Sequence, residues 1–263
     1  MTRRPVPIFA LACALAACAG ESHPPERLSA WGLFADGAAQ RPADGVVPYE
    51  VIAPLFSDYA AKHRFIRVPE GETITYTSEG DWEFPIGTVL VKTFGFLADL
   101  RDPSAGEDIV ETRLLVLEED GEWHPYVYVW DDAASDALLT QAGASVPVAW
   151  THTDGSRREL VYRVPNAVQC ANCHGGRRAP TPIGPRTEQL DRDYDYGAGP
   201  ENQIDHLVSL GWLAGDVPPH GERPRFEDPE GEGDLEARAR AYLDANCAHC
   251  HNEDGAASQS GLW

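Results

Sequence analysis

Glu111–Trp130 reads ETRLLVLEEDGEWHPYVYVW. Tyr126, Tyr128 and Trp130 alternate with Val127 and Val129, the period-two pattern of a pleated strand built from β-branched and aromatic residues. The preceding apolar run ends at the dipeptide Asp120-Gly121, which favours φ > 0 and suits a hairpin turn. Working outward, similar short runs occupy 72–77, 88–96, 110–118, 124–132 and 158–164, with turn signals such as EGDWEFPIG and EEDGEW between them. This predicts an antiparallel β-rich domain over residues 28–165. Trp123, Tyr126, Tyr128 and Trp130 read as an aromatic layer of its core rather than a substrate platform.

Past Pro165 the chain carries Cys170-Ala-Asn-Cys-His174 and, further on, Cys247-Ala-His-Cys-His251. A Cys-x-x-Cys pair can be a redox disulfide, half of a zinc site or the attachment point of a c-type haem. Zinc ribbons separate their two pairs by about 15 to 20 residues, far fewer than lie between Cys173 and Cys247. A redox pair has no use for the histidine that follows both copies here. Covalent haem uses every residue: two thiols three positions apart add to the two vinyl groups, and the next side chain offers its imidazole to the iron. Two covalently attached c-type haems are therefore expected, at Cys170, Cys173 and His174 and at Cys247, Cys250 and His251.

The opposite face of each iron is less defined. The single methionine is Met1, and seven histidines remain: 23, 63, 124, 152, 206, 220 and 249. His206 is the distal candidate, because Ile204, Leu207, Val208 and Leu210 predict a helix around it. His249 is expected to face solvent, and His63, His124 and His152 to be ordinary polar side chains. Before the second motif, Asp234 is an N-cap for a helix carrying Leu235, Ala239, Tyr242 and Leu243. That helix resembles the first helix of cytochrome c domains. The expected fold class is thus α+β: a β-rich N-terminal domain, then α-helical cytochrome c-like haem-binding segments at 166–222 and 223–263. The second segment is expected to be truncated, because few residues follow His251.

The start of the chain has Arg3 and Arg4, an apolar run Ile8–Ala17, and Leu-Ala-Ala-Cys18. This is an export signal over 1–18, too short for the about 20 residues of a membrane span. Its end resembles the lipobox of bacterial lipoproteins, which makes Cys18 the lipidation site and 19–27 a polar tether. Ala19 rather than aspartate after the cysteine favours the outer membrane, so the expected location is the periplasm, lipid-anchored to that membrane. The formal net charge of −21 excludes nucleic acid as a partner. It favours redox protein partners with a basic docking surface, and it would depress haem potentials. Lys62 and Lys92 are the only lysines; every other basic residue is arginine.

No nucleophile elbow, phosphate loop or His-Glu-x-x-His helix occurs. Taken together, PLFSDYAAKHRF, WEFPIGTVLVKTF, ETRLLV, VPNAVQCANCHGG, PIGP and RARAYLDANCAHCHN resemble a family of bacterial di-haem c-type cytochromes, often lipoproteins, of uncharacterised role. The resemblance spans most of residues 28–263 and implies haem at both motifs with electron transfer as the activity. The alternative expectation is a haem enzyme, with one open-site haem reducing a small molecule such as peroxide. A third is a ligand-binding β domain with the haems as its redox output.

Overall fold

The computed structural model describes residues 23–78, 80–175 and 180–262. The export signal, Cys13, Cys18 and the start of the tether lie outside these residues. The hairpin around Asp120-Gly121 joins the fourth and fifth strands of the main sheet. Its strands belong to a six-stranded antiparallel meander: β1 (Val47–Pro48), β2 (Ala61–Arg67), β3 (Val89–Leu97), β4 (Glu107–Leu117), β5 (Trp123–Trp130) and β6 (Ala137–Leu139), adjacent in space in chain order. Gly121 sits at φ 78°, and the Glu118 N–H donates to the Glu122 carbonyl at 3.0 Å, closing the turn so that Leu117 opposes Trp123. A second hairpin, β7 (Ala144–Thr151) with β8 (Arg157–Val164), runs in unbroken register.

β3 is buried along almost its whole length, because both faces of the sheet are covered. Val89 and Val91 pack with Leu28, Leu33, Tyr128 and Trp130 on one side. Phe94 and Phe96 meet Val148, Trp150 and Tyr162 of the second hairpin. Leu90 and Leu115 meet Leu190, Ile204, Leu207 and Leu213.

That last cluster overturns the expectation of cytochrome c-like helical segments. The fold is 32% strand and 18% helix, a multi-sheet β-rich architecture. After Pro165 the α-helices are short: α1 (Ala167–His174), α2 (Thr187–Leu190), α3 (Gln203–Ser209) and α4 (Leu235–Leu243). Helices below about 12–15 residues are marginal by themselves; α2 and α3 are held because they cover the sheet. The same stretch adds strands, with Asp193–Asp195 pairing Pro200–Asn202 and Leu213–Ala214 lying parallel to Ile74–Thr75.

Buried amides complete the cover. Gln189 accepts from the Ala53 N–H at 2.9 Å and donates to its carbonyl at 3.0 Å, while Gln203 does the same for Glu50 at 2.7 and 2.9 Å. Each side chain satisfies a backbone that has no partner strand there, where an unmet group would cost about 1–3 kcal/mol. α4 begins at Asp234, whose carboxylate accepts from the Ala237 N–H at 2.9 Å, as the sequence pattern suggests. Its buried face differs: Ala241 and Ala245 pack on Ala53 and Phe226, while Leu235, Tyr242 and Leu243 are exposed. Among the described residues no helix is long and apolar enough to cross a membrane.

Candidate functional site

β8 ends at Val164, and Asn166 starts α1 through a capping box. The Asn166 side chain accepts from the Gln169 N–H and the Gln169 side chain accepts from the Asn166 N–H, both at 2.9 Å. One turn of helix then puts Cys170 and Cys173 on the same side, three positions apart. Cys170 is buried beside Tyr162 and Val164, and burial pushes its thiol pKa up. Cys173 is exposed.

His174 closes the helix, and its Nδ1 lies 2.8 Å from the Thr181 carbonyl oxygen. A carbonyl can only accept, so Nδ1 carries the proton and Nε2 keeps the lone pair. Metal-bound imidazoles use this arrangement, in which a second-sphere acceptor fixes both tautomer and ring orientation. The Thr181 hydroxyl donates to the His174 carbonyl at 3.0 Å, a second tie between these two residues. Burial pushes the His174 pKa down to about 4, and the ring is neutral at pH 7.

The second motif leaves α4 through a π-helical turn, Asp244–Ala248, the wide turn that often marks functional positions. Arg186 pairs with Asp244, and the Asn246 side chain accepts from the Phe56 N–H at 2.8 Å. Cys250 and His251 donate their N–H groups to the Cys247 carbonyl at 3.0 and 2.8 Å. His251 Nδ1 lies 3.0 Å from Ser260 Oγ. Gly255 crosses directly over Cys250, where a Cβ would overlap its carbonyl.

The fold brings the two motifs into contact. The Cys250 thiol is 3.8 Å from the Asn172 carbonyl, and ligand atoms of Cys173, His249 and Cys250 all lie within 4.8 Å of one another. Three soft donors are one short of a closed tetrahedral zinc site. All four motif cysteines are free thiols, the state that thioether attachment requires.

A cavity of about 640 Å³ opens beside α1, within the about 300–1,000 Å³ of small-molecule and cofactor pockets. Cys170, Cys173 and His174 line one wall, Ala245, Ala248 and His249 another, and Leu90, Lys92, Phe94, Arg113 and Leu115 the floor. Paired thiols, an imidazole with a free Nε2 and the apolar side chains of Leu90, Phe94 and Leu115 fit a porphyrin at the first motif. Cys247, Cys250 and His251 are not among the residues that line this cavity, although Ala248, His249 and Asn252, within and beside the second motif, are.

His206 is not brought to either motif. It stacks on Tyr196 with ring centroids 3.6 Å apart, and its Nδ1 is 2.8 Å from a Glu201 carboxylate oxygen. His63, His124 and His220 likewise face Glu107, Asp120 and Asp191. His249 does not face solvent as expected. It is half-buried, its Nδ1 is enclosed without a hydrogen-bond partner, and burial lowers its pKa. Besides His174 it is the one histidine lining the cavity among the described residues. Sequence reasoning also passed over Arg64, Lys92 and Arg113. A lysine inside the apolar run VLVKTFGF is the signal that could have found them.

Comparison of the chain with protein-family models, with curated proteins and with solved structures found no match in any of the three.

Proposed function

We propose that this protein is an electron carrier with one haem covalently attached at each Cys-x-x-Cys-His motif. The observation that carries the reading is the first motif: paired free thiols and a tautomer-fixed imidazole on the wall of a cofactor-sized cavity. When bound, such a haem supplies a one-electron Fe(III)/Fe(II) couple. The chain's own residues do the rest. Cys170 and Cys173 are the attachment points, and Cys247 and Cys250 their counterparts on the second motif. His174 and His251 supply the proximal imidazoles, with Thr181 holding the ring of the first. His249, the other histidine lining the cavity, would offer a second imidazole to a haem held there. Leu90, Phe94 and Leu115 supply the apolar part of the cavity floor beside Lys92 and Arg113, and together they would help set the potential of the cofactor. The contact between Cys173 and Cys250 brings the two attachment points together, which favours electron exchange within one chain.

The sequence context that supports the reading is the export signal expected over residues 1–18 and the lipidation expected at Cys18, which suit a c-type cytochrome of the periplasm at a membrane surface. A basic redox protein is the proposed partner for so acidic a chain. The test is mass spectrometry with a pyridine haemochrome on protein exported from a host with c-type maturation. Two covalent haems per chain are expected, falling to one on Cys173→Ser or on Cys250→Ser. Haem-free protein carrying zinc or disulfides at the same thiols would sink the reading. Two attached haems of which one is high-spin and turns over peroxide would move it to the enzyme alternative.

A further inference from the structure

The cavity carries a charge pattern opposite to that of the chain. Arg64 on β2, Lys92 on β3 and Arg113 on β4 are direct cross-strand neighbours, Arg64 opposing Lys92 and Lys92 opposing Arg113. All three line the cavity floor. Like charges placed directly opposite one another destabilise a sheet, and here three stand in a row on central strands. The other lysine, Lys62, lies two positions from Arg64 on the same face of β2. Both lysines of a chain with a net charge of −21 are therefore in this cluster.

Of the row, only Arg113 has an ion-pair partner among the described residues; Glu50, which pairs with Arg192, acts on Arg64 without pairing with it. Glu111, fully buried, takes two hydrogen bonds from Arg113 at 2.6 and 2.9 Å and one from the Tyr162 hydroxyl at 2.6 Å. Three acids line the cavity: Asp81 and Asp244 stand by Arg186, which pairs with Asp244, and Asp254 is the third. Arg64 and Lys92 make no ion pair among the described residues. Lys92 does lie 5.1 Å from the centroid of the Phe94 ring, and so does Arg113 at 4.3 Å, but a ring face does not cancel a full charge. Burial, then Arg64, Arg113 and Lys62, push the Lys92 pKa well below its usual value against the opposing pull of Glu111, and an anion arriving in the cavity would favour the protonated amine. Broken local rules of this kind concentrate where a ligand compensates them.

We propose that the Arg64–Lys92–Arg113 row is a carboxylate-binding site, with Arg64 and Lys92 receiving the carboxylates of whatever fills the cavity. Guanidinium and ammonium groups on a partly dry floor suit that ligand chemistry. Two sources offer it: the propionate side chains of the haem attached at Cys170 and Cys173, or a free small carboxylate entering beside it. The first source rests on the function proposed above; the row itself does not.

The experiment compares exported full-length protein with its Arg64→Gln, Lys92→Gln and charge-keeping Arg64→Lys variants. It measures covalent haem count by mass, midpoint potentials, and succinate binding by Soret and thermal shift. If propionates are the source, both haems remain attached and one midpoint falls in the two glutamine variants, by about a threefold or larger change in the reduced-to-oxidised ratio at fixed potential. Arg64→Lys restores most of that loss, which a purely structural role would not predict. If a free carboxylate is the source, the parent binds succinate saturably and the glutamine variants bind it at least about tenfold more weakly. Unchanged potentials together with an unchanged or absent succinate response would overturn the site. Should the protein carry no haem, the function proposed above fails. The succinate titration on that same protein still decides the row, a tenfold loss supporting it and no binding overturning it.

Discussion

Replacing Glu111 by glutamine tests the electrostatics on which the cavity floor depends. The side chain is fully buried, holds Arg113 through two hydrogen bonds and accepts a third from Tyr162. Glutamine keeps the shape and one acceptor oxygen but removes the charge. Arg113 is then uncompensated next to Lys92, its cross-strand neighbour, which itself opposes Arg64. Removing one partner of a buried pair costs about 3–5 kcal/mol. The retained acceptor and the cavity's solvent access place Glu111→Gln near the lower end, at about 3 kcal/mol. The double variant Glu111→Gln/Arg113→Met removes both charges and is expected to lose only about 1 kcal/mol, a coupling of about 2 kcal/mol. Equilibrium urea unfolding followed by circular dichroism reads both values, with an unchanged m-value showing that stability alone has moved. A single variant within about 1 kcal/mol of the parent, or a double variant no more stable than the single, would refute the argument.

His249→Ala is expected to keep both haems by mass while converting one from low-spin to high-spin in its absorption and EPR spectra; two unaltered low-spin signals would remove His249 from the site. Gly255→Ala places a methyl against the Cys250 carbonyl and is expected to lower haem occupancy at Cys247 and Cys250, with Cys170 and Cys173 fully loaded, as counted on tryptic peptides. Lys62 has its pKa pushed down to about 8, chiefly by burial and then by Arg64 and Arg113, from an ordinary 10.5. Between those pH values the unfolded chain holds a proton that the folded chain has released, so stability rises with pH across the window. The rise is on the order of 1–2 kcal/mol after discounting for partial exposure, and a Lys62→Met variant unfolded in urea at pH 8 and pH 10 should lack it.

Local chemistry was legible in the sequence wherever it is carried by neighbours along the chain. The turn at Asp120-Gly121, the alternation of Tyr126, Tyr128 and Trp130, and the cap at Asp234 each depend on a few consecutive residues. The motif spacing likewise put Cys170 and Cys173 on one helical turn. The cap at Asn166 and the lysine inside VLVKTFGF were equally local, and both went unread for lack of an expectation to attach them to. The helical segments expected after Pro165 failed for a different reason. Apolar spacing at Leu235, Tyr242 and Leu243 states that a face exists, not what covers it, and in the fold the small Ala241 and Ala245 are the residues that pack.

By itself the sequence determined the type of strand that builds this protein and the donor atoms it can offer a cofactor, because both follow from bonding patterns within a turn or two of chain. Only the tertiary structure decided that residues 187–214 cover the sheet, that the ligand atoms of Cys173, His249 and Cys250 come within 4.8 Å of one another, and that Arg64, Lys92 and Arg113 fall into a row. Those relations depend on strand register and on which distant segments share a core. They are set by the sum of many weak long-range contacts, and no single window of the chain contains that sum.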